Sequence, residues 1–145
     1  MLDSMKQVTL DIEEARKHGV DIDVKTAMLM SFSPDCIKLL STSGDLLFMS
    51  RNGTCAMEIA DPAPLYGRKW WDLWPDQERD RLRDAVDLAA TGRTVNFVAE
   101  CPTARGTPAC WNVMVAGVPT SDGQVKELLA ISVMTEEAPS ELLVT

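Results

Sequence analysis

The side chains from which this chain could build a reactive centre are four cysteines, one histidine and 22 carboxylates. Cys36, Cys55, Cys101 and Cys110 form no Cys-x-x-Cys pair, and His18 alone leaves few partners for a metal site. Buried, reduced thiols are the plain expectation. Cys101 and Cys110 flank a hairpin tip at Arg105-Gly106, where two strands could bring them face to face as a disulfide or metal pair. Acid and base catalysis needs a poised histidine or paired carboxylates in one cavity. Asp76, Asp80, Asp84 and Asp87 instead recur at helical spacing, which describes a solvated helix face. Glu58 and Asp61 stand in a stretch rich in turn residues, where capping or turn hydrogen bonds account for them. No catalytic constellation results, and the expectation is a protein that binds and relays rather than an enzyme.

Bulk properties narrow the partners. At 145 residues, with 46% hydrophobic and 25% charged residues, the chain has the balance of one globular domain with its own core. A formal net charge of -8 repels a phosphate backbone and an anionic membrane surface, so neither nucleic acid nor membrane is an expected partner. No stretch approaches the roughly 20 apolar residues of a membrane span, and Asp3, Asp11, Glu13 and Glu14 break the basic-then-apolar order of a signal peptide. A cytoplasmic location is the expectation.

Any binding site must be positioned by the elements that the periodicity predicts. From Met1 to His18 there is no Gly or Pro, and Met1, Met5, Val8, Ile12 and Ala15 are spaced four, three, four, three, a heptad stripe that Gly19 ends. Val20 to Thr26 reads as a linker, and Ala27 to Phe32 as a short apolar stretch before the turn Ser33-Pro34-Asp35. Cys36–Leu40 and Leu46–Ser50 flank a Gly-containing loop and read as a hairpin. Short helical pieces follow between Arg51 and Asp72. A helix runs from about Asp76 to Thr91, with Leu82, Ala85, Val86 and Ala89 on one face and Gly92 as its stop. Three more strands, Val95–Cys101, Ala109–Val118 and Val125–Met134, close the chain.

The order predicts an α+β fold: a five-stranded antiparallel sheet with its helices between strands two and three, plus the N-terminal amphipathic helix. In the last strand Val125, Leu129, Ile131 and Val133 fall on one face, and Leu128, Ala130 and Met134 on the other. An antiparallel sheet with one wet face would alternate apolar and polar residues, so both faces need a cover. The middle helices cover one. The first helix, from this chain or from a partner subunit, covers the other.

Several strings in this order resemble the PAS sensor-domain family: Ser33-Pro34-Asp35-Cys36-Ile37-Lys38, Gly44-Asp45-Leu46-Leu47-Phe48-Met49, and the Trp-rich Gly67-Arg68-Lys69-Trp70-Trp71-Asp72-Leu73-Trp74-Pro75. Pro102-Thr103 with Gly106 and Trp111, and Asp122-Gly123 before the last strand, extend the likeness over about Phe32 to Glu136. The resemblance implies a signalling module in which sheet and helices enclose a small-ligand pocket, here with Trp70, Trp74, Phe97 and Trp111 as candidate lining. The alternative is that these aromatics, like Met28, Met30, Met49, Met57, Met114 and Met134, are plain core. The family's habit of dimerising through an added N-terminal helix makes Met5, Val8, Ile12 and Ala15 the candidate dimer interface. The division is then 1–26 for that helix and linker, 27–136 for the PAS domain and 137–145 for a tail.

The chain departs from the family in ways that bear on function. The closing Asp-x-Thr of many members is Val133-Met134-Thr135 here, which loses the acid, and ten residues follow it. The expected protein is a free-standing, non-enzymatic regulator, a homodimer acting on a signalling protein such as a histidine kinase or its regulator. The alternative is a redox or light sensor domain, with a flavin held without a covalent bond, cut from a larger histidine kinase. No cofactor is assigned: the long helix carries no histidine for a haem, and the Asn-Cys-Arg-Phe string of flavin-adduct sensors is absent.

Overall fold

Alternating apolar residues and glycine turns build a sheet of six antiparallel strands in the order β2-β1-β5-β4-β3-β6. The computed structural model describes residues 2–145, with side chains from residue 5 onward. Strands β1 (Cys36–Ser41) and β2 (Leu46–Met49) form the first hairpin. Strands β3 (Thr94–Glu100), β4 (Cys110–Pro119) and β5 (Val125–Thr135) form a meander, and Glu127 to Ser132 of β5 pair with the whole of β1. The sixth strand, β6 (Leu143–Val144), corrects the expectation of five. Two residues are too few to show a period, and β6 exists because Val95 and Asn96 of β3 supply its hydrogen-bonding edge.

Helix α4 (Asp76–Ala90) lies on the front of the sheet, with Leu82, Ala85, Val86 and Ala89 buried and Asp76, Asp80, Asp84 and Asp87 in water. Its stop is Gly92, at φ +97°, a conformation that costs glycine little. At Gly117 of β4 the helix comes so close that a Cβ would meet the Ala89 carbonyl oxygen at 2.5 Å. The front core joins α4 to Trp70, Phe97, Trp111, Val113, Val115, Leu128 and Ala130. Val125 joins it too, contrary to the face expected from strict alternation. A register irregularity between Val118 and Pro119 shifts its parity relative to Glu127 and beyond.

The back of the sheet is covered by the chain itself. Helix α1 (Leu2–Lys17) places Val8 and Ala15 against Ile37, Leu39 and Phe48, with Ile12 partly buried beside them. Of the stripe residues, Met5 stays 71% exposed, and Met1 lies outside the described residues. The stretch expected as a linker instead contains the start of helix α2 (Val24–Phe32). Asp23 accepts a hydrogen bond from the Thr26 amide at 2.7 Å and caps that helix, while Val20 and Ile22 enter the back core. α2 buries Ala27 and Met30 and leaves Val24, Met28, Leu29 and Phe32 in water.

Candidate ligand cavity

Between the sheet and the segments that cross its front lies a cavity of about 220 Å³, walled chiefly by Met49, Met57, Leu65, Leu73 and the indoles of Trp70, Trp74 and Trp111. Backbone pairing fixes the first indole. The Arg68 carbonyl accepts from the Leu46 amide at 2.8 Å, and the Trp70 amide donates to the Gly44 carbonyl at 2.8 Å. Lys69 reaches back to Asp45 at 2.9 Å, and its hydrogen bond holds the Asp45 carboxyl below the usual range. The Trp-rich string is thus stitched to the β1–β2 hairpin, and the Trp71 ring closes over Gly44, which sits at φ +90°. Trp70 and Trp74 then meet edge to face, with centroids 5.9 Å apart.

The sheet supplies the floor. Trp111 on β4 donates its indole N–H to the Cys101 carbonyl at 2.9 Å. Of the four aromatic residues expected to line a pocket, Trp70, Trp74 and Trp111 come together here. Phe97 packs in the adjoining core, 1% exposed, beneath the Arg81 guanidinium. Cys101 also lines the cavity, and burial pushes its thiol up to about 11, so it is a neutral, weakly nucleophilic group at neutral pH. All four cysteines are free thiols, as expected, and Cys101 and Cys110 do not come face to face. Cys110 lies opposite Glu100, one position out of register, so the two thiols fall on opposite faces.

Besides Thr103, the polar groups of the cavity are Lys38 and Ser132, which the sequence reasoning did not single out. Lys38 shares the front face of β1 with Cys36 and Leu40, since Ile37 and Leu39 point into the back core. Its ammonium is 2.8 Å from Cys36 Sγ and 3.4 Å from the Ser132 hydroxyl, and the residue is 5% exposed. A signal existed: a charged residue interrupts the apolar run Cys36-Ile37-Lys38-Leu39-Leu40 in a strand expected to be buried on both faces.

The roof of the cavity is a pair of loops tied together. The Ala104 amide donates to the Met57 carbonyl at 2.9 Å, and the Thr103 hydroxyl donates to Glu58 at 2.7 Å. Asp61 accepts from the Ala63 amide at 3.0 Å and holds a turn as expected, whereas Glu58, with a left-handed backbone at φ +55°, gives its carboxylate to the other loop rather than to a local turn or cap. His18 sits outside the cavity, on the α1 side, edge-on to Tyr66 at 4.6 Å. A larger depression, about 830 Å³, opens on the surface at the ends of β3, β4 and β5, but no buried polar group faces it.

A family model described as PAS fold matches residues 31–138. The chain belongs to the PAS-fold family. Solved PAS domains share its architecture. The PAS domain of an HTR-like protein from Haloarcula marismortui superposes with a TM-score of 0.62 at 18% identity, covering 74% of this chain and 91% of that one. The PAS-B domain of Drosophila melanogaster Cycle, solved with bound ethylene glycol, gives 0.59 at 11% identity over 69% of this chain and 99% of that one. The Rhodobacter sphaeroides LOV protein gives 0.61 at 14% identity, covering 76% and 65%. These identities carry the fold and nothing finer. None of the curated proteins matches the sequence. Among the described residues no helix of this PAS domain is long and apolar enough to cross a membrane, and no cluster of His, Cys, Asp and Glu has the makings of a metal site.

Proposed function

We propose that this PAS domain is a non-catalytic signalling module, which senses a small molecule in its cup and passes the signal on through protein contacts made by its N-terminal helices. The observation that carries the reading is the outer face of α2. Val24, Met28, Leu29 and Phe32 lie within one side of the helix and are 58%, 41%, 72% and 60% exposed. A monomer seldom leaves such a face bare, and an apolar face rimmed by polar residues is the usual form of a protein contact. Met5 of α1 is the described stripe residue that remains in water, while Val8 and Ala15 are taken up by the chain's own sheet. A second copy of the chain is the first occupant we assign to this face. A cytoplasmic signalling protein, such as a histidine kinase or its regulator, is the partner to which the pair would report.

The reading as a flavin sensor draws less support from the cavity. At about 220 Å³ it does not hold a tricyclic flavin with its ribityl chain as it stands, although it has room for a smaller molecule.

Sedimentation velocity of the full chain tests the contact. Leu29→Asp should convert a dimer to a monomer with the thermal melt unchanged. A wild-type protein that remains monomeric up to high micromolar concentration would refute self-association through α2.

A further inference from the structure

We infer that the cup of this domain takes a small carboxylic acid as its anion, with Lys38 as the counter-charge. The inference rests on the reading of the domain as a sensor and names the ligand class for it.

Lys38 is nine-tenths buried and lines the cavity, yet its polar neighbours are a thiol and a hydroxyl. Among the described residues no carboxylate forms an ion pair with it. The nearby buried acid, Glu78, is paired with Arg81. An ammonium has three hydrogens to donate, and leaving it in an apolar cavity without an anion is unfavourable. A carboxylate entering the cavity would remove that cost. Sequence position adds to the case, because a methionine or leucine at position 38 would satisfy the packing of β1 without any charge.

Ser132 adds a hydroxyl that can also donate. An ammonium can only donate, so the ligand that Lys38 fits must accept, and a carboxylate has two oxygens with which to do so. Phosphate and sulfate would accept as well. Their bulkier, more strongly hydrated charge is poorly matched to walls made of methionine, leucine and tryptophan.

The volume sets the rest. About 220 Å³ holds roughly seven waters at about 30 Å³ each, which is the space of one ring or a short branched chain bearing its acid group. The three indoles favour a flat apolar body.

The test uses the full chain and three probes of nearly one size: benzoate, benzyl alcohol and benzylamine. Binding is read from tryptophan fluorescence, since three indoles line the cavity, and from the thermal melt. Benzoate should bind about tenfold or more tighter than benzyl alcohol, and benzylamine weakest. Lys38→Met should abolish the preference for benzoate while leaving benzyl alcohol binding in place. It should also raise the melting temperature of the ligand-free protein, because it removes a buried unpaired charge. If Lys38→Met does not fold, Lys38→Gln gives the same comparison with a neutral donor. Equal binding of benzoate and benzyl alcohol by wild type, or a benzoate preference that survives in Lys38→Met, would overturn the assignment and leave the sensor reading standing. Failure of all three probes to bind would overturn both.

Discussion

The Thr103 hydroxyl donates to the Glu58 carboxylate at 2.7 Å, and with that bond the β3–β4 loop is tied to the end of α3 (Arg51–Ala56) across the roof of the cavity. Hydrogen bonds from Thr107 and Thr103, with Arg105 nearby, hold the Glu58 carboxyl below its ordinary range. A group whose folded value is depressed contributes fully above its ordinary value and loses its contribution as pH falls through the depressed one. The roof should therefore loosen below about pH 4, seen as a drop in the hydrogen-exchange protection factor of the Ala104 amide. Glu58→Gln should show the low-pH protection factor already at neutral pH.

Ser50 is 1% exposed and serves three backbone groups at once. Its hydroxyl accepts from Gly53 at 3.1 Å as the cap of α3 and from Ile37 at 3.0 Å, and donates to the Asp35 carbonyl at 3.3 Å. Ser50→Ala should cost about 1–3 kcal/mol in urea unfolding, and Ser50→Thr less. A loss below the detection limit would show that these groups find other partners.

Gly117→Ala should destabilise by about 1–3 kcal/mol, because the added methyl group meets the Ala89 carbonyl, a backbone atom that cannot step aside. The strand itself would welcome alanine over glycine. The sign of the change in melting temperature thus reports which effect prevails, and an increase would mean that α4 shifts freely over β4.

Alkylation should divide the cysteines by position. Cys55 is exposed, whereas Cys36 and Cys101 are buried and the Cys101 thiol stays protonated until about 11. Iodoacetamide at mildly alkaline pH should label Cys55 within minutes and the buried pair only after unfolding, as counted by intact mass. Labelling of Cys101 in the native protein would mean that the cavity roof opens often.

Val8→Asp should unfold the helical cap rather than merely separate subunits. Val8 is 6% exposed and packs in the back core, so an aspartate there buries a charge beside Ile37 and Leu39. The expected result is a melting temperature several degrees lower, by rough estimate. An unchanged melt would place Val8 outside the core.

The strands of the meander and helix α4 were legible because their signals are local. Alternation, turn glycines and a four-residue spacing of apolar side chains need no knowledge of the rest of the chain. Helix α2 was hidden because its outer face is apolar too, and Val24, Met28 and Leu29 blur the stripe that marks an amphipathic helix. The Trp-rich string pointed to the cavity, since Trp70 and Trp74 land in it. Lys38 did not stand out because its burial depends on segments more than ten residues away in sequence. The same holds for Cys110, whose register is set by the length of the β3–β4 loop rather than by symmetry about its tip.

The two residues of β6 do more than their length suggests. Paired to β3 at Val95 and Asn96, and followed by Thr145, which exchanges backbone hydrogen bonds with Thr94, they occupy donors and acceptors that would otherwise invite a foreign strand. Removing residues 137–145 would uncover the open edge of β3 along Val95 and Asn96, a seam onto which a foreign strand could be added.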